Sequence, residues 1–405
     1  MRIVIYSINY APEIIGIGKY NGEMAEWLSS RGHDVHVVTA HPYYPDWKVW
    51  QGYFAYRYKY EKHKNVKIWR CPLWVPSRPT GKKRLLHLAS FAISSLPVIL
   101  LQSIWRPDIM LVIEPPFFCA PHTLIASRLC GAKTFLHVQD LEIDTAFSLG
   151  LLDNKSLYFI AKFLENMITK AFNHVSAIST GMLKRLLENG VSESSTTLFP
   201  NWVDTKNIFP LKDSRKIREH FDIPCDKVVV LYSGNMGEKQ DIHILIKAAQ
   251  KLVCNPKIYF VLCGEGAILK NLKSTASNLL NLCFLPLQPI DMLNSLLNIA
   301  DIHILPQKQN LSHLVMPSKL TGMLASGRPV VAMIEQGTGV AEIVENCGLI
   351  IPPGDTKSLV DGLIWLTENT AKRHMLGKAA RAYAEKNLDK EKILSEFESL
   401  LMAHI

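Results

Sequence analysis

The 405-residue chain contains no Cys-x-x-Cys spacing, although eight cysteines are present at positions 71, 119, 130, 225, 254, 263, 283 and 347. In a chain of this length their scatter argues against a zinc ribbon or a disulfide framework and fits small core residues in a reducing compartment. Also missing are a G-x-S-x-G elbow, a complete G-x-G-x-x-G, a Walker A loop and any D-x-D. Hydrolase, dehydrogenase and P-loop readings therefore lose their signatures. Without paired carboxylates to hold Mg²⁺ beside substrate phosphates, no obligatory metal and no cofactor is expected. The apolar opening MRIVIYSINY is followed by no small-residue cleavage site, so a first β-strand is preferred over a signal peptide and a cytoplasmic location is expected.

What is present points to an ordinary globular α/β protein, 48% hydrophobic and 20% charged. Apolar strands alternate with amphipathic helices twice over. RIVIYSI, VHVVTA, DIMLVIE and KTFLHV read as strands in the first half; VVVLY, IYFVLCG, DIHIL and RPVVAM do so in the second. This alternation predicts two Rossmann-like domains with parallel sheets, whose ligands bind beyond the carboxyl ends of the strands in a cleft. The breakers in FPNWVDTKNIFP place the boundary near residue 203, giving domains at 1–203 and 204–386 and a C-terminal helix at 387–405.

The net charge of +9 is concentrated. Between Lys48 and Arg84 lie eleven Lys/Arg and one acid, Glu61, with eight Trp, Tyr and Phe interleaved. The apolar run Leu85–Trp105 follows; its serines, His87, Pro97 and Gln102 make it a poor membrane span. Such a segment fits an anionic membrane surface or a lipid-linked substrate. A solvated face beside a buried helix is the plainer reading, and nucleic acid is the least favoured partner.

Four loops at strand ends carry chemistry. IIGIGKY offers Gly16 and Gly18, which permit close approach to the backbone or simply a turn. LHVQDLEID crowds His137, Gln139, Asp140, Glu142 and Asp144 past an apolar strand, where helix capping competes with a catalytic role. In SGNMGEKQD, Gly234 and Gly237 precede Lys239 at a helix start, an arrangement suited to a diphosphate. MPSKLTGMLASGRPVVA places Ser318 and Lys319 at another helix start, and Gly264-Glu265-Gly266 ends a strand between the two. Two lysine-bearing helix starts in one domain suit one anionic ligand better than either does alone.

Taken together, GIGKYNGEMAEWLSSRGHDVHVVTA, NWVDTKNIFP, YSGNMGEKQDIHILIKAAQKL, PSKLTGMLASGRPVVA and GVAEIVENCGLIIPPGD resemble the motifs of family 4 glycosyltransferases, in the same order along nearly the whole chain. The resemblance implies the two-domain GT-B fold and a retaining, metal-independent transfer from a nucleotide-diphosphate sugar, bound by the C-terminal domain, to a saccharide bound by the N-terminal one. Its branch implies a lipid-linked saccharide acceptor in colanic-acid-like exopolysaccharide synthesis at the inner face of the cell membrane, with GDP-fucose as one donor.

Carried over by position, Gly18 approaches the donor diphosphate and Lys239 neutralises it. Asn235 stands where many members have arginine, and Ser318 and Lys319 restore that charge. The family histidine corresponds to His137 or, with a two-residue shift, to Gln139. The family's Glu-x7-Glu pair falls on Leu314 and Gly322, so both carboxylates are absent and Glu342 becomes a candidate for ribose recognition. That departure keeps a non-catalytic GT-B partner protein as an alternative, beside a non-hydrolysing sugar-nucleotide epimerase.

Overall fold

The computed structural model describes residues 1–77, 80–148, 155–237, 240–308 and 317–405. The chain divides into two compact units: Met1–Pro200 with Ile393–Ile405, and Asn201–Lys392.

The first unit runs β1 (Arg2–Tyr6), α1 (Gly16–Ser30), β2 (Asp34–Ala40), β3 (Lys59–His63), β4 (Val66–Cys71), α2 (Gly81–Trp105), β5 (Ile109–Glu114), α3 (Cys119–Cys130) and β6 (Lys133–Val138). It continues through α4 (Glu142–Ser148), α5 (Lys155–Thr169), β7 (His174–Ala177), α6 (Thr180–Glu188) and β8 (Thr196–Leu198). Eight strands form one sheet in the order β3-β4-β2-β1-β5-β6-β7-β8, parallel except for the β3–β4 edge hairpin. Every residue of β5 is buried, as expected of a central parallel strand covered on both faces. Right-handed crossovers put α2, α3, α5 and α6 on one face of this sheet and α1 on the other.

The second unit contains α7 (Arg215–His220), β9 (Val228–Ser233), α8 (His243–Lys251), β10 (Ile258–Cys263), α9 (Leu269–Thr275), β11 (Leu282–Leu285), α10 (Leu293–Asn298) and β12 (Ile302–Pro306). It ends with α11 (Lys319–Ala325), β13 (Val330–Met333), α12 (Gly339–Val344), β14 (Gly348–Ile351), α13 (Thr356–Glu368) and α14 (Thr370–Asn387). Its six strands are all parallel, ordered β11-β10-β9-β12-β13-β14. Val230, Phe260, Leu262 and Ile304 of the sheet pack against Ile242, Leu245 and Ala249 around α8. The order changes direction between β9 and β12, the position where a doubly wound sheet binds ligands.

The last helix, α15 (Lys390–Met402), packs with the first unit from Ile393 onward. Ile393, Leu394, Phe397 and Leu401 are buried, each worth about 1.5–3 kcal/mol. Leu400 stays partly exposed while Leu394 is buried. Phe397 stacks on Phe199 at 3.9 Å, and Glu398 accepts from His33 Nε2 at 2.7 Å.

The basic segment is less basic in space than in sequence. Arg70 is 2% exposed and donates to Glu61 at 2.6 Å and to the Ala40 and Ala11 carbonyls. Lys67 pairs with Asp34 at 3.0 Å and Lys64 with Glu26 at 2.9 Å. Acids distant in sequence therefore neutralise much of the β3–β4 hairpin. His87, Gln102 and Ser103 of α2 face inward, and each is hydrogen-bonded. His87 Nδ1 bonds the Trp74 carbonyl at 2.6 Å, Gln102 bonds His36 at 2.7 Å, and Ser103 donates to the Ala126 carbonyl at 2.9 Å.

Candidate functional site

At the carboxyl edge of the second sheet, β9 and β10 end in two glycine loops tied to each other. The Gly234 N–H donates to the Cys263 carbonyl at 3.0 Å, and the Met236 N–H to the Glu265 carbonyl at 2.7 Å. The contact is so close that a Cβ on Gly264 would collide with the Gly234 carbonyl, and one on Gly266 with the Met236 carbonyl. Both glycines also hold φ near +150°, which side chains rarely adopt. Asn235 is exposed beside them, and its carbonyl accepts the Tyr232 hydroxyl at 2.6 Å.

Lys319 reaches this edge from α11. Its Nζ lies 4.1 Å from the centroid of the Tyr232 ring, and its aliphatic stem passes Gly234, where an added Cβ would sit 3.5 Å from Cδ. No carboxylate among the described residues forms an ion pair with it. Burial without a counter-charge pulls the ammonium down to about 7. Gly234, Asn235, Gly264, Gly266 and Lys319 thus come together as one anion-receptive edge, with Ser318 exposed at the start of α11. Glu342 lies exposed in the first turn of α12 and acts electrostatically on Tyr383 of α14. At Gly322, where the resemblance puts the second glutamate of the pair, a Cβ would meet Leu297 at 3.3 Å, so this face of α11 packs on α10. Lys239 and Leu314 lie outside the described residues.

At the first sheet's carboxyl edge, a buried glutamate that sequence reasoning passed over organises the loop before α1. Glu13 accepts the Tyr43 and Tyr44 N–H groups, each at 2.9 Å, and the Asn9 side chain at 2.9 Å. Burial nevertheless pushes its carboxyl above the usual range. Gly18 is pressed onto it: an added Cβ would lie 2.7 Å from Glu13. The need for glycine at 18 is therefore met by this chain's own Glu13. Gly16 opens α1 at φ +62°, with Tyr44 3.8 Å from where a Cβ would stand.

His137 is 2% exposed inside the sheet, beside Phe199 at 4.8 Å. Gln139 Nε2 donates to His137 Nε2 at 3.0 Å, which leaves Nδ1–H to donate to Ser176 Oγ at 2.9 Å. Burial pushes the ring down to about 3, so it stays neutral. Both ring nitrogens are hydrogen-bonded, which favours a packing role for His137. β6 is buried on both faces after Lys133, so a polar residue within it is packed whichever face it takes.

Gln139 and Asp140 follow at the strand end, next to a carboxyl cluster. Glu142 Oε2 accepts the Phe117 N–H at 2.9 Å, and burial lifts this carboxyl to about 7. Glu114, at the end of β5, is held well above the carboxylate range by burial and by the neighbouring Glu165 charge. A glutamate ending an apolar strand before Pro115-Pro116 was the available signal for it. No group of three or more potential metal ligands occurs among the described residues.

Residues 213–383 match the family described as Glycosyl transferases group 1, and residues 16–202 match the Glycosyl transferase 4-like domain. Along 98% of both chains the sequence is 39% identical to the putative colanic acid biosynthesis glycosyl transferase WcaI of Escherichia coli K12. The chain belongs to the family 4 glycosyltransferases. Among solved structures, Anabaena Alr3699/HepE in complex with UDP superposes with a TM-score of 0.72 at 17% identity, covering 100% of both chains. WaaG, a glycosyltransferase of lipopolysaccharide biosynthesis, gives 0.69 at 15% identity over 98% of this chain and 99% of its own. These likenesses show the GT-B fold. As an enzyme of this family the chain transfers a sugar from a donor to an acceptor.

Proposed function

We propose that this glycosyltransferase takes its sugar from a nucleotide-diphosphate donor whose diphosphate sits at the Gly234–Gly264–Lys319 edge. The carrying observation is Lys319, a half-buried cation over Tyr232 with no acidic partner among the described residues, beside loops that admit only glycine. An arriving diphosphate supplies the missing counter-charge and restores the lysine's proton affinity. As the anomeric bond ionises, charge grows on the leaving diphosphate, and Lys319 together with the loop N–H groups stabilises it more than the ground state. Lys239, four residues before α8 in sequence, adds a second charge in this reading.

The departing phosphate takes the acceptor hydroxyl proton on the face it leaves, which gives retention without a glycosidase-type carboxylate pair and without a metal. Gln139 and Asp140, at the first sheet's edge, orient the acceptor. In line with the relative named for colanic acid biosynthesis, the acceptor in this reading is a lipid-linked saccharide of a colanic-acid-like exopolysaccharide, and the enzyme works at the cytoplasmic face of the membrane. GDP-fucose is the first donor to test.

A thermal-shift screen of the purified chain against GDP, UDP, dTDP and their sugars tests the donor site. A ligand selective for the native state raises the melting temperature by mass action. One nucleotide family giving a clear shift is the expected outcome. No shift with any of them, in folded protein, supports the alternative that the packed Gly322 face motivates, a GT-B partner without catalysis.

A further inference from the structure

Helix α5 is built inside out. Tyr158, Lys162, Glu165 and Thr169 face the protein, whereas Phe159, Ile160, Phe163, Leu164 and Met167 face outward. Phe159 and Phe163 are each 69% exposed, while Glu165 is 5% exposed. The inward polar stripe is locked in place: Lys162 holds Asp144 at 2.7 Å and Glu165 at 2.5 Å, and Tyr158 donates to Asp144 at 2.9 Å. An amphipathic helix of a soluble domain shows the opposite arrangement, so the outward apolar stripe calls for a covering partner.

The stripe does not stand alone. Helix α3 packs against both α2 and α5 on the same face of the sheet. Leu129 of α3 is 69% exposed, and Ile93 and Ile104 of α2 are 73% and 78% exposed. Three adjacent helices thus present one apolar surface. Charge identifies the occupant. Lys82, Lys83 and Arg128 are exposed on these helices and Arg106 caps α2, whereas α2 and α3 contain no acid and the one acid of α5, Glu165, is buried. A second copy docking by two-fold symmetry would bring this cationic rim against itself.

We propose that the α2–α3–α5 face lies flat on an anionic lipid bilayer, with the outward phenylalanines of α5 at the level where headgroups meet acyl chains. This rests on the peripheral-membrane reading above and moves its centre from the basic β3–β4 hairpin to α5. The inward side chains of α2 are hydrogen-bonded to β2, to the Trp74 carbonyl and to α3, so that helix lies along the surface rather than across it. The same contact reaches the acceptor side, because Asp144, which α5 holds, belongs to α4, whose first residue is Glu142.

The test is co-sedimentation of the full chain with phosphatidylcholine vesicles, with and without phosphatidylglycerol at about 30% to supply the anionic surface. Wild type is expected to pellet with the anionic vesicles. Phe159→Ser/Phe163→Ser should lower the bound fraction at least about tenfold, since apolar insertion is lost. Lys82→Glu/Lys83→Glu should lower it on anionic vesicles alone, by about fivefold or more per lysine at low salt. Both variants should keep the wild-type circular dichroism spectrum and nucleotide-induced thermal shift. Failure of wild type to bind either vesicle overturns the proposal, as does wild-type binding by the phenylalanine variant. A concentration-dependent dimer that Phe163→Ser dissociates would assign the face to a second copy instead. Vesicle binding without any nucleotide shift would leave this face standing and sink the donor reading.

Discussion

Two lysines, one in each unit, are withdrawn from solvent with opposite consequences. Lys162 on α5 meets Asp144 and Glu165 within 2.7 Å, and despite burial its ammonium is held above the ordinary lysine range, Glu165 contributing most to the rise. Lys319 on α11 meets an aromatic ring and glycine backbone, and burial pulls it down to about 7. One charge is spent on holding a helix in place; the other, on the function proposed here, is kept for a ligand. The contrast teaches that burial of a cation does not mark a site, whereas burial without a counter-charge does.

The comparison breaks most visibly in turnover. Lys319→Ala should lower transfer about 100- to 1000-fold at saturating donor, the magnitude typical of losing one preorganised charge-stabilising group, while the melting temperature holds or rises. Steady-state kinetics beside a thermal melt reads both. Its pH dependence sharpens the point. A sugar nucleotide binds the ammonium, so affinity should fall as pH climbs above about 7, by up to tenfold per unit, and stay flat in the alanine variant. Stability moves the other way. Above about pH 7 the folded lysine sheds its proton while the unfolded one keeps it, so wild type gains stability relative to Lys319→Ala up to about pH 10.

Lys162→Ala leaves Asp144 and Glu165 buried without their cation and should cost about 3 kcal/mol by urea denaturation. Gly264→Ala, which drives a methyl group into the Gly234 carbonyl at a positive φ, should destabilise the second unit by about 2 kcal/mol. His137→Phe removes two buried hydrogen bonds and should cost about 1–2 kcal/mol while leaving turnover within about twofold in the folded fraction. A much larger loss of turnover would return His137 to the catalytic list.

The second unit's edge was legible because its requirements leave a signature in residue type. Close backbone approach and positive φ demand glycine at 264 and 266, and an anion demands a lysine at a helix start. The first unit hid its logic. His137 and Gln139 look alike as polar residues at a strand end, yet one is sealed between Ser176 and Gln139. Periodicity reveals a stripe but not which way it faces, so the inversion of α5 could not be read from spacing. The excess charge of the Lys48–Arg84 segment was overstated because Glu26 and Asp34, which neutralise part of it, enter only through the fold.

The most direct test is calorimetric titration of one sugar nucleotide into Lys319→Met and Lys162→Met side by side with wild type. The account predicts that Lys319→Met loses at least about 50-fold in affinity, as expected for removing a charged hydrogen-bonding partner of a diphosphate, and that Lys162→Met, in its folded fraction, binds as wild type. Equal losses in both, or wild-type affinity in Lys319→Met, would contradict it.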